Sequence, residues 1–118
     1  SGASWTAVNT GLSGAVYALA VSSTNLFAGT SSGVFLSTNS GTSWSAVNSG
    51  LTNTDVRSVA SSGSTLFAGT YGDGVFRSTD GGLSWTAVNS GLRALSVWSF
   101  ASSGANFFAG TLGRGVFL

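Results

Sequence analysis

One phrase is written three times in this chain. SWTAVNTGL begins at Ser4, SWSAVNSGL at Ser43 and SWTAVNSGL at Ser84. After each comes a β-like run: VYALAV from Val16, VRSVAS from Val56 and VWSFAS from Val97. Next come LFAGT from Leu26, LFAGT from Leu66 and FFAGT from Phe107, then GVFLST from Gly33, GVFRST from Gly74 and GVFL from Gly115. Trp5, Trp44 and Trp85 stand 39 and 41 residues apart, and two one-residue deletions in the first copy, before Leu26 and after Gly29, account for the difference. Self-similarity at a fixed period means that one supersecondary unit is stacked on copies of itself, because a single unit cannot bury its own apolar face.

Each copy holds four short apolar runs separated by turns of Gly, Ser and Asn, and no stretch sustains a 3.6-residue apolar period, so strands are predicted and helices are not. In the first run of each copy Tyr17, Leu19 and Val21 alternate with Val16, Ala18 and Ala20; Arg57 and Val59 alternate with Val56, Ser58 and Ala60; Trp98 and Phe100 alternate with Val97, Ser99 and Ala101. One face is large, the other small, and both are mostly apolar, as in a strand covered on both sides by neighbouring sheets. Four strands in about 40 residues is the blade of a β-propeller. The predicted fold is therefore all-β: four-stranded antiparallel blades, three per chain, in one domain over residues 1–118 with repeats near 2–40, 41–80 and 81–118.

Between the third and fourth runs the chain reads Ser37-Thr38-Asn39-Ser40-Gly41-Thr42-Ser43-Trp44 and Ser78-Thr79-Asp80-Gly81-Gly82-Leu83-Ser84-Trp85. These octets resemble the Asp box, S-x-D-x-G-x-[ST]-W, of the bacterial neuraminidase (BNR) repeats found in sialidase-like and photosystem II assembly-factor-like propellers. The resemblance covers essentially the whole chain. It implies a structural turn at the blade periphery, remote from any ligand. Its chemistry fits that role. Asn39 or Asp80 can accept hydrogen bonds from turn N–H groups, Gly41 and Gly82 can supply positive φ, and the N–H of Trp44 or Trp85 needs a partner. Asn39 departs from the usual Asp but accepts the same bonds.

A third octet is interrupted: Leu118 aligns with Leu36 and Arg77, and Ser1 aligns with Ser40 and Gly81. Residues 4–8 thus read as a fourth strand with no blade of their own, and the last blade as lacking its fourth strand. Three blades do not close a ring, and open sheets leave edges and apolar faces bare. The favoured solution is a homo-oligomer in which the N-terminal strand of one copy completes the last blade of another, two copies making six blades; repetition without closure makes a filament. A segment of a longer repeat protein is a third solution.

Charge limits function further. Four Arg, three Asp and no Lys, Glu or His make up 6% of the chain. Four scattered Arg do not make a phosphate-binding patch, so no nucleic-acid partner is predicted. No apolar run is long enough to span a membrane as a helix. Without Cys or His no thiolate or imidazole metal site is available, and no metal or other cofactor is predicted. Sialidases use a glutamate in their active site, and this chain has none, so the resemblance extends to scaffold and not to catalysis. The Ser/Thr/Gly/Asn-rich, Lys-free composition resembles that of secreted or cell-surface proteins. Propeller ligands usually bind where loops run from strand four to strand one and from strand two to strand three. There stand Tyr17, Arg57, Trp98, Tyr71, Asp73, Arg93 and Arg114, with Asp55, Ser31 and Leu112. The leading reading is a non-enzymatic self-assembling scaffold. The alternatives are a lectin-like module, in which aromatic rings stack on sugars, and an assembly factor that binds another protein. Ser31, Tyr71 and Leu112 are equivalent yet different, which weighs against three identical sugar sites.

Overall fold

A computed structural model describes residues 4–89, 96–103, 106–113 and 115–117. Its elements are β1 (Val16–Ser22), β2 (Asn25–Thr30), β3 (Gly33–Ser37), β4 (Ser45–Ala46), β5 (Val56–Ser62), β6 (Thr65–Thr70), β7 (Val75–Ser78), β8 (Thr86–Ala87), β9 (Val97–Ser103), β10 (Asn106–Thr111) and β11 (Gly115–Phe117). They form three antiparallel sheets, ordered β1-β2-β3-β4, β5-β6-β7-β8 and β11-β10-β9, and no helix occurs among the described residues. The register repeats with the sequence: Ala28 pairs with Phe35 and Ala68 with Phe76, Phe35 with Ala46 and Phe76 with Ala87.

The sheets pack face to face in chain order. Phe27, Val34, Val56, Leu66, Ala68, Phe76 and Trp85 form the core between the first and second sheets, with Leu36, Val47, Leu51 and Val59 against it. Between the second and third, Phe67 stacks on Phe107 with centroids 4.4 Å apart, and Phe100 tilts against both. Side-chain hydroxyls tie strand to strand across the gaps: Ser61 Oγ donates to the Val21 carbonyl and Ser58 Oγ to that of Val97.

Equivalent residues meet different surroundings, and the difference locates the uncovered surfaces. Val56 and Val97 are 0% exposed, whereas Val16, their counterpart in the first sheet, is 47% exposed. The first strands were predicted to be covered on both faces; β1 is not: no sheet among the described residues lies against its outer face, and Tyr17, Leu19 and Val21 stand exposed. At the other end Val116 is 71% exposed, although Val34 and Val75 are buried. The tryptophans follow the same rule: Trp5 is 90% exposed, Trp44 and Trp85 are 8% and 5%.

Residues 4–8, predicted as a strand, carry no strand assignment. They have no sheet to join among the described residues, and a segment without a ladder leaves its backbone groups to side chains and water. The chain that follows is nevertheless anchored. Trp44 Nε1 donates to the Val8 carbonyl at 2.9 Å, and the Trp44 N–H to that of Thr10. Trp85 treats Val47 and Ser49 in the same way. Gly50 lies so near the Trp85 carbonyl that a Cβ would sit 2.2 Å from it, and Gly11 meets Trp44 identically, with φ near +90° at both. The repeated Gly of VNxGL is thus demanded by close approach as well as by backbone conformation.

Candidate functional site

Of the rim residues singled out in the sequence, four converge. The Arg57 guanidinium carbon lies 4.3 Å from the Tyr17 ring centroid, 4.9 Å from that of Tyr71 and 5.5 Å from that of Trp98. Tyr71 meets Trp98 edge-on. Tyr17, Arg57 and Trp98 belong to three successive sheets, and the backbone feature that aims them is the same each time. The register skips one residue opposite the end of the neighbouring strand: between Val16 and Ala18, between Val56 and Ser58, and between Val97 and Ser99 opposite Gly110/Thr111. Each of the three is therefore the extra residue of a β-bulge, which turns its side chain out of the pleat.

Asp55, which the sequence placed on the same rim, completes the cluster. Asp55 takes Arg57 Nε at 2.8 Å and Nη2 at 3.1 Å on its two oxygens. That fork raises the Arg57 pKa above its ordinary value, the hydrogen bond that Arg57 donates to Asp55 being the main cause. The cation is thus held by one carboxylate and by rings from the sheets on either side, an arrangement that ties three sheets at one end. Asp73 stands apart: it accepts from Thr52 Oγ1 at 2.7 Å and makes no ion pair with Arg57. Arg93 and Arg114 lie outside the described residues.

The two octet turns lie at the opposite ends of the sheets, joining β3 to β4 and β7 to β8. Buried Ser37 Oγ accepts from the Gly41 N–H, as Ser78 Oγ does from that of Gly82. Asn39 Oδ1 accepts from the Ser43 N–H and from Ser37 Oγ; Asp80 Oδ1 accepts from the Ser84 N–H and from Ser78 Oγ. Gly41 and Gly82 have φ of 88° and 92°. The side-chain oxygens Ser37 Oγ, Asn39 Oδ1, Ser78 Oγ and Asp80 Oδ1 are all turned inward on their own turns. These atoms set the geometry and leave little for a ligand.

Asp80 differs from Asn39 in being able to titrate. The Ser84 hydroxyl first, then the Ser84 N–H and the Ser78 hydroxyl, hold its carboxyl down to about 2, from an ordinary 3.8. The folded carboxyl sheds its proton more readily than the unfolded one, so its contribution to stability is present above pH 3.8 and is lost as the pH falls toward 2. Asp80→Asn is expected to flatten that part of the stability–pH curve, read by urea unfolding at pH 2 to 5, while the first turn, which already carries Asn39, adds nothing to it.

Two further structural positions were missed in the sequence. Asn48 Oδ1 accepts from the Val34 N–H and Asn89 Oδ1 from that of Val75, both at 2.8 Å. Each extends a short fourth strand by one side-chain bond. The signal was available, since Asn9, Asn48 and Asn89 recur in every copy. No group of three or more Asp, Glu, His or Cys able to hold a metal occurs among the described residues, and no helix there is long and apolar enough to cross a membrane. No protein-family model and no curated protein matches the chain.

Proposed function

We propose that the chain is a non-enzymatic building block of a β-propeller, with Asp-box turns at its outer edge, and that a second copy supplies what its end sheets lack. The observation that carries this reading is that the unmet partners are complementary. The third sheet has three strands and bare Val116. Residues 4–8 have the sequence of a fourth strand, no sheet, and bare Trp5.

The contacts a second copy would make are already made twice inside the chain. Val47 N–H donates to the Val34 carbonyl and Val88 N–H to that of Val75, each at 2.9 Å. By the same register Val8 N–H would donate to the Val116 carbonyl of the partner subunit, Asn9 would accept from its N–H, and Ala7 would pair with Phe117. Trp44 and Trp85 donate their indole N–H groups to Val8 and Val47. Trp5 would donate to the carbonyl of Val88 of the partner subunit. Leu19, Val21 and Tyr17 would meet the open face of the third sheet, where Phe108 occupies the position of Phe27. Two copies joined head to tail give six blades and leave no open edge.

A complementation experiment tests head-to-tail polarity. One variant lacks residues 1–7; the other carries Val116→Asp, a charge where the fourth strand should lie. Alone, each is expected to remain a single chain. Mixed, they retain one intact seam and are expected to form a two-chain particle. If mixing restores nothing, or if either lesion alone leaves association unchanged, the reading fails.

A lectin-like reading has one observation in its favour: the half-exposed rings of Tyr17, Tyr71 and Trp98 share one end of the sheets. Those rings already face Arg57. A glycan array without hits would remove this alternative.

A further inference from the structure

The two gaps between sheets are lined by equivalent residues, with one exchange that changes their chemistry. In the first gap Leu36 of β3 packs against the core that contains Phe27 and Leu66. Its counterpart in β7 is Arg77, which is exposed. Where a leucine fills the first gap, the second gap opens into a cavity of about 300 Å³ lined by Ser62, Thr65, Phe67, Arg77, Thr79 and Phe107. It lies at the end of the sheets that carries the β5–β6 hairpin and the Ser78–Trp85 turn, far along the strands from the Arg57 cluster.

The lining combines three chemistries. Arg77 makes no ion pair among the described residues, where the one salt bridge is Arg57–Asp55. A guanidinium presents a planar fork of donors that matches a carboxylate, and one cation balances one negative charge. The hydroxyls of Ser62, Thr65 and Thr79 can each donate or accept at the cavity wall. Phe67 and Phe107, stacked with an interplanar angle of 29°, supply an apolar wall suited to a flat body. The volume is at the small end of the roughly 300–1,000 Å³ usual for small-molecule sites.

We propose that this cleft binds a small monocarboxylate carried on a flat apolar body, with Arg77 on the carboxylate and the two phenyl rings against the body. Both sheets belong to one chain, so the site is independent of any assembly into a propeller.

Benzoate is the probe, titrated into the 118-residue chain and followed by NMR signals of the Arg77 side chain and of the Phe67 and Phe107 rings. Saturable shifts with Kd on the order of 1 mM are expected for a ligand this small. Benzamide, without the charge, and acetate, without the ring, should each bind at least about tenfold more weakly. Arg77→Leu restores the side chain of the first gap and should fold and lose benzoate; Arg77→Gln should lose it with the cleft still open. Absence of saturable shifts, equal binding of benzamide, or undiminished binding by either variant would overturn the proposal.

Discussion

Removal of residues 1–7 is expected to leave a folded chain of three sheets that no longer associates. The cut spares Val8, whose carbonyl receives the Trp44 indole N–H at 2.9 Å, so the first sheet keeps its anchor. It removes Trp5, which is 90% exposed and contributes nothing to the core of its own chain. In the proposed assembly that same ring enters the site type that buries Trp44 and Trp85. Truncating such a Trp to Ala typically costs about 3–5 kcal/mol, and each 1.4 kcal/mol is tenfold in affinity. The loss of the arm, with its ladder bonds in addition, should therefore raise the dissociation constant by at least about 100-fold. Sedimentation of truncated and intact chains at matched concentration reads this directly. A truncated chain that still formed the intact chain's particle would remove strand exchange from the account.

Trp85→Ala should be the most damaging single substitution inside the chain. Trp85 belongs to the core between the first two sheets and is 5% exposed, with its indole N–H on the Val47 carbonyl at 2.8 Å. Loss of the ring leaves a cavity, for a cost of about 3–5 kcal/mol. Trp85→Phe keeps most of the ring and strands the Val47 carbonyl, for about 1–3 kcal/mol. Against a usual total stability of about 5–15 kcal/mol the first substitution consumes a large share. Urea unfolding should rank Trp85→Ala below Trp85→Phe below the parent, with an unchanged slope. Trp5→Ala, chemically the same change, should leave the unfolding of the unassociated chain where it was. The contrast comes from the neighbouring sheet, not from the residue.

That contrast also shows what the sequence could and could not reveal. The strands outside residues 4–8, the turns that join β3 to β4 and β7 to β8, and the roles of Asn39, Gly41, Asp80 and Gly82 were legible, because turn chemistry is local and was written twice in register. The indole N–H of Trp44 or Trp85 was known to need an acceptor, but the acceptors lie 36 and 38 residues upstream, across a sheet boundary. The bulges at Tyr17, Arg57 and Trp98 were not legible, since a one-residue register skip leaves the pattern of large and small side chains intact. Asp55 was seen as a rim charge and not as the partner of Arg57, because it stands before β5, in a loop where strand alternation does not fix which way a side chain points. The cleft beside Arg77 required knowing which face of β7 looks toward the third sheet. Exposure of β1 was hidden for the opposite reason: its sequence is that of a covered strand, and no sheet among the described residues covers its outer face.

The most direct test of the central claim, that two chains complete each other head to tail, is the mass of the intact 118-residue chain by sedimentation equilibrium over a wide concentration range. A single species of two chains, which neither grows at high concentration nor loses its discreteness, is the predicted result. A single chain at every concentration, or open-ended growth, would contradict it.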